Sequence, residues 1–483
     1  MDLQDVAEEV ELEQKETIIL PDNVNLFASR YLNIAEDSVY WQDVEPSFMD
    51  DRPPQALYFD YPNHSNNFID LSRTDLYLKL DIVGEDGQSI DQRVMMVENQ
   101  NGNLVRSYPS FEANPVEFIL QTMWKNVEIK FNGYSVYDSQ QNYGYNAFFQ
   151  YLLGTTAQTR AYQGSFMGWS TDNRNFDAVH TNGIPMNNGL VTRRNWRMKV
   201  AVGSENTPEV QDQLSSVEYY GPIFAGICNQ ERYLVNNVRI EIDFQPAKDS
   251  FRLMTTDGSQ PAYLKIVEAK LKVCTVKLDS RVKVSIDNCM SLQSQIALYP
   301  LQKSIVRTFR ANKGSLQFFE NDMFRGKVPT KLVVGMISEE AYHGDYRKNP
   351  FYFQTFNISQ IAVRLGNNSV PTKPLQLNFK DSDYLLGLIS LYRVANRSVR
   401  DFDIGIDRDN YRQGLSLFGF NIDPGSHESS GLIGKPKYDL LQLVINFSKG
   451  LEEGVMIILY ATFPDEVEVD NARVARVLSD IPS

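Results

Sequence analysis

This chain has very little of what catalytic, redox or metal sites are usually built from. Among 483 residues there are three cysteines, Cys228, Cys274 and Cys289, and four histidines, His64, His180, His343 and His427. An odd cysteine count leaves at least one thiol unpaired, and no pair has CxxC or metal-knuckle spacing. They read as small buried thiols. The histidines stand singly, without HxxxH, HxH or HExxH spacing. Gly164, Gly168 and Gly183 lie in loop sequence rather than between a strand and a helix, so no phosphate-cradling loop is present, and no GxSxG elbow occurs. The expectation is a protein with no catalytic set, no metal and no cofactor, and therefore not an enzyme. Basic residues are also short: 47 Lys and Arg against 61 Asp and Glu, a net charge of −14. Nucleic-acid binding rests on cations neutralising phosphates, so sequence-specific nucleic-acid binding is not expected. No window approaches the ~20 consecutive apolar residues of a membrane helix, which argues against membrane insertion. The first residues, Met1-Asp-Leu-Gln-Asp-Val-Ala-Glu-Glu, lack the positive start and apolar run of a secretory signal. The chain is expected to stay inside the cell or in a particle assembled there.

What the chain does have is a module that occurs twice. Val127-Glu-Ile-Lys-Phe-Asn-Gly-Tyr-Ser-Val136 reads as strand, tight turn, strand, and Ile361-Ala-Val-Arg-Leu-Gly-Asn-Asn-Ser-Val370 reads the same way. A Tyr-rich helical pattern follows each, Tyr145 to Leu153 and Tyr384 to Tyr392. A duplicated unit in a β-patterned chain points to two copies of one β domain in tandem, with the border near residues 279–300. Asn132 and Gly133 set the first hairpin, and Gly366 and Asn367 the second. In the helices, Tyr145, Phe148, Phe149, Leu152 and Leu153 share one face, as do Leu385, Leu388, Ile389 and Tyr392. Tyr145, Phe149, Leu385 and Ile389 are expected to dock the helices, each plugging one end of a sandwich.

Strand signals recur along both halves. Leu76, Leu78, Leu80 and Ile82 alternate with polar residues, as do stretches 238–244, 267–273 and 441–447. Val455 to Phe463 is apolar on both faces, which predicts a strand buried between layers. Long stretches without periodicity follow each helix, 155–220 and 393–435, and loops of that length are usually interaction surfaces. Tyr162 and Trp169 in the first of them are candidate intersubunit contacts, with local packing as the alternative. Asp401, Asp403, Asp407 and Asp409 are spaced like a calcium loop, but positions six and twelve are Ile406 and Arg412 where an EF-hand needs Gly and Glu. A solvated acidic loop is the plainer reading.

Several segments resemble one family. Asn349-Pro-Phe-Tyr-Phe-Gln-Thr-Phe, continuing through Ile361 to Val370-Pro-Thr-Lys-Pro-Leu-Gln, resembles the second half of the major capsid (hexon) proteins of Polinton/Maverick elements, adintoviruses and related polinton-like viruses. Val127 to Tyr137, Asn142-Tyr-Gly-Tyr-Asn-Ala-Phe-Phe-Gln-Tyr-Leu-Leu153, Gly221-Pro-Ile-Phe224 and Glu231 to Ile240 resemble its first half. The likeness spans roughly residues 70–470. It implies an all-β chain of two tandem eight-stranded jelly-roll sandwiches with short helices and long loops. The expected division is an N-terminal arm and lead-in over 1–50, a first jelly roll over 51–285, a second over 286–470 and a tail over 471–483. The resemblance implies a homotrimeric capsomer in an icosahedral virion. Its partners would be further copies of itself and penton, minor capsid or cement proteins. A carbohydrate-binding or carbohydrate-hydrolysing β-sandwich protein is the competing expectation, because jelly rolls host lectins and enzymes too.

Overall fold

The computed structural model describes residues 35–63, 66–90, 95–98, 104–107, 111–173, 175–179, 187–199, 212–213, 216–366, 368–395, 403–422 and 437–478. The first half contributes eight strands to two antiparallel sheets. They are β1 (Glu36–Val44), β2 (Leu57–Tyr61), β3 (Phe68–Val83), β4 (Trp124–Phe131), β5 (Tyr134–Asp138), β6 (Val217–Pro222), β7 (Ile240–Pro246) and β8 (Tyr263–Leu278). One sheet has the order β1-β8-β3-β6 and the other β2-β7-β4-β5, with the short strand Phe48–Met49 added beyond β2. The second half supplies β9 (Ala297–Ala311), β10 (Gln317–Glu320), β11 (Lys331–Ser338), β12 (Ile358–Leu365), β13 (Asn368–Gln376), β14 (Phe418–Asn421), β15 (Leu441–Phe447) and β16 (Val455–Val469). Its sheets have the orders β9-β16-β11-β14 and β10-β15-β12-β13. Adding eight to every strand number of the first half reproduces the second. Each half is a jelly roll, and the chain is a double jelly roll.

The alternation read from the sequence is what builds the sandwiches. Leu76, Leu78, Leu80 and Ile82 of β3 are all buried, while Tyr77 and Lys79 between them are half-exposed and Asp81 is buried against Arg197. On β7, Ile240, Ile242 and Phe244 point inward and lie opposite Phe131, Ile129 and Val127 of β4. A slip of either strand by one residue would turn its three apolar side chains outward, so the pattern fixes the pairing. Val455 to Phe463 of β16 is buried without a break, with β9 on one side and β11 on the other.

The duplicated module is β4–β5 in one half and β12–β13 in the other. At the first turn Asn132 has φ 49° and Gly133 φ 83°. Positive φ at both central residues matches the twist of the flanking strands, and Asn-Gly tolerates it best. Gly366 at the second turn has φ 55°; Asn367 lies outside the described residues. The helices that follow are α1 (Tyr143–Gly154) and, after α2 (Ser280–Ser291) between the sandwiches, α3 (Leu385–Val394).

Three details differ from the sequence reading. Glu36–Val44, placed in the lead-in, is the edge strand of the first sandwich and pairs with β8 from Leu278 to Leu271. It escapes notice because an edge strand whose only half-buried apolar residues are Val39 and Val44 shows no alternation. Ala475–Val477, placed in the tail, pairs with the end of β16. The stretches read as irregular contain helices at Ala157–Tyr162, Asn188–Asn195 and Arg408–Gln413. The arm over residues 1–20 lies outside the described residues.

Candidate assembly site

The junction between the sandwiches is built around α1. Its apolar face does not merely close one end of the first sandwich. Phe148 stacks on Phe351 with ring centroids 4.8 Å apart, and Phe149 stacks on Tyr460 of β16 at 5.4 Å and meets Phe353 at 5.4 Å. Tyr145 stacks on Tyr342 at 6.0 Å and donates its hydroxyl to Pro350 O at 3.2 Å. Burial pushes the Tyr145 hydroxyl pKa well above its ordinary value, so it remains a donor at any physiological pH. The Asn-Pro-Phe-Tyr-Phe segment that carries the family resemblance is therefore the surface on which the first half is seated. The open edge of β9 is also covered: Asn142 donates to Val306 O, Arg232 to Leu298 O and Gln150 to Ser304 Oγ. Covering a sheet edge removes a template for unwanted pairing.

Polar groups clamp the same junction. Arg193 is fully buried and donates to Pro115 O, Ser170 O and Asp172 Oδ1, at 2.9, 2.7 and 2.8 Å. Asn349 of the second half donates to Asp172 Oδ2 at 2.7 Å, and its own backbone N–H reaches Asp177 Oδ1 at 2.7 Å. Burial raises the pKa of Asp177. Glu117 lies beside this cluster. Its removal from water, followed by the charge of Asp172, pushes its carboxyl well above the usual range. Arg160 reaches across to Ile404 O, and burial lowers its pKa. Phe176 stacks on Tyr352 at 4.8 Å and occupies the space a side chain at Gly414 would need. Arg194 on Glu112 and Arg197 on Asp81, both at 3.2 Å, anchor the helix Asn188–Asn195 and the turn after it.

The residues singled out in the sequence meet different fates. Tyr145 and Phe149 are docked as expected. Leu385 is 40% exposed and does not dock α3, and Ile389 is only half-buried. The face that packs on β14 is Gly387, Leu388, Leu391 and Val394. Leu385 lies about 160° around the helix from Gly387, off the packed face. Trp169 is not a surface contact either. It is buried against Phe118, Phe148 and Tyr151, with the Arg160 guanidinium over its ring. Tyr162 is 70% exposed, and Phe166, which the sequence reading passed over, is 60% exposed. Their four-residue spacing across a helix and the turn after it was the available signal.

Of the acidic run, Asp407 caps the helix Arg408–Gln413 by accepting from Asn410 N, and Asp403 accepts from Gly405 N. Asp401 lies outside the described residues, as do His64, His180 and His427. His343 is exposed, 3.9 Å from Glu339. Cys228 and Cys274 are buried and Cys289 is half-buried. Among the described residues no group of three or more His, Cys, Asp or Glu side chains gathers as a metal site would require.

No protein-family model matches the chain. It is 21% identical over 418 residues to an uncharacterized protein of Caenorhabditis elegans, covering 85% of this chain and 90% of that protein. Among solved structures it is similar to the Sputnik virophage at 3.5 Å by cryo-EM, with TM-score 0.57 and 12% identity over 96% of this chain and 93% of that one. It is similar to the Faustovirus major capsid protein, with TM-score 0.51 and 10% identity over 96% and 94% of the two chains. The mavirus major capsid protein gives TM-score 0.50 and 9% identity over 96% and 94%. At these identities the likeness is one of fold, and it extends over nearly the whole of each chain. This chain has the fold of the double jelly-roll major capsid proteins.

Proposed function

We propose that the chain is a structural major capsid protein that assembles as a homotrimer with a pseudo-hexagonal outline and tiles an icosahedral shell. The observation that carries this reading is the identity of strand order in the two halves, fused through one continuous core. Two like sandwiches in one rigid chain turn threefold symmetry into near-sixfold shape, which is the shape that tiles a flat facet. The long loops after α1 and α3 would meet neighbouring copies, and Tyr162 and Phe166 offer exposed aromatic anchors of the kind that dominate interfaces. The function needs no reaction. The acidic balance fits a shell that leaves genome contact to other, basic proteins. Penton, minor capsid or cement proteins are the further partners of this reading, and the virion is its place. The resemblance in sequence favours the Polinton-like group of viruses and elements.

Negative-stain imaging of the purified chain tests this directly. Hexagonal blocks or closed shells are the expected result. Isolated particles the size of one chain at every concentration would overturn the reading.

A further inference from the structure

A cleft of about 350 Å³ opens where the two sandwiches meet, beside the start of α1. That size lies within the ~300–1,000 Å³ of small-molecule sites. Trp124, Tyr145 and Phe251 of the first half and Tyr342 of the second form its walls. Both tyrosine hydroxyls are committed elsewhere: Tyr145 to Pro350 O, and Tyr342 to Asn142 Oδ1 at 3.3 Å, with Thr308 Oγ1 at 3.2 Å. What remains for an occupant is mainly ring carbon. Trp124 is 1% exposed, and its indole N–H finds no acceptor in the described chain.

The mouth is cationic. Its charge comes from Lys125 and Lys248, both exposed; His343 lines the cleft beside them, and no carboxylate does. Among the described residues neither lysine has an acidic partner. Glu339, 3.9 Å from His343, is already held by Arg310 at 2.8 Å. In a chain of net charge −14 this is a local reversal of sign, set over an aromatic surface. Low-dielectric walls strengthen the attraction that two such cations exert on an anion between them.

We propose that this cleft binds a small amphiphilic carboxylate. A flat apolar body of one or two rings would lie over Phe251 and Tyr342, the less buried of the four rings, with its carboxylate at Lys125 and Lys248. Because the walls come from both sandwiches, the bound molecule stabilises their junction by mass action. The proposal stands apart from the capsid reading, since it concerns a single chain.

The test is calorimetric titration of the full chain with 2-naphthoate, with neutral 2-naphthamide as the comparison and a Lys125→Glu/Lys248→Glu variant. The expected result is one naphthoate per chain, bound at least about tenfold more tightly than the amide, a difference set by the anion alone. The variant is expected to lose at least about tenfold in naphthoate affinity. Saturable binding absent into the millimolar range, equal affinity for the amide, or unchanged affinity in the variant would each overturn it. The naphthoate–naphthamide comparison on the unaltered chain decides the matter even where the variant fails to fold.

Discussion

Asn349 in the second sandwich donates to Asp172 Oδ2 at 2.7 Å while Arg193 holds Oδ1 of the same carboxylate at 2.8 Å. All three residues are buried. One carboxylate thus receives a bond from a guanidinium of its own half and one from a neutral amide of the other. The geometry makes Asn349 a fastening between halves rather than a loop residue.

Replacing Asn349 with Leu should therefore destabilise the chain by about 2 kcal/mol, because Asp172 loses a buried donor it cannot replace. Replacing Arg193 with Met should cost more, about 3–5 kcal/mol, since it strands a buried charge. Urea unfolding of both variants checks the order. Equal effects would show that the fastening is not electrostatic.

Glu117 gives the junction a pH dependence of definite sign. Its folded-state pKa is raised from 4.5, with burial the first cause and Asp172 the second. The folded chain then holds a proton that the unfolded chain releases, so stability falls as pH rises from about 4.5 towards the folded value. Arg193 and Arg160 face the same carboxyl and oppose the shift without reversing it. Glu117→Gln should be more stable than the natural chain near pH 8 and gain little near pH 4. Thermal melts across that range test it; a constant difference would count against a titrating Glu117.

The helices α1 and α3 are not equivalent anchors, although each follows the corresponding hairpin of its half. Phe149→Ala should cost about 3–5 kcal/mol, as a buried ring between Phe353 and Tyr460 is removed. Leu385→Ala should change stability by no more than about 0.5 kcal/mol. Chemical denaturation of the two variants side by side reads the contrast.

Tyr162 and Phe166 should matter to assembly and not to folding. Tyr162→Ser with Phe166→Ser is expected to leave the melting of the dissociated chain unchanged and to weaken trimer formation at least about tenfold. Sedimentation over a concentration series measures it. A trimer of unaltered strength would place the subunit contacts elsewhere.

Much of the fold was legible before the structure because it rests on local rules. Asn132-Gly133 demands a particular turn, and the alternations through β3 and β7 demand a half-buried strand. The equivalence of β4–β5 and β12–β13 was readable as a repeat. What escaped depends on partners distant in sequence. Glu36–Val44 becomes a strand only because β8 offers it an edge. Trp169 and Tyr162 lie seven residues apart in similar sequence, yet one is buried and the other exposed, and only the packing of Phe118 and Phe148 separates them. Arg193 reads as a surface cation until Asp172 and two carbonyls are brought around it. Leu385 has the right composition for a docking face and the wrong angle.

The central claim is that this chain works as a trimer. Light scattering coupled to size exclusion measures the mass of the assembled species without reference to shape. The account predicts a species of three times 55.3 kDa, with larger closed particles as concentration rises. A monomer that persists at the highest concentrations attainable would contradict it.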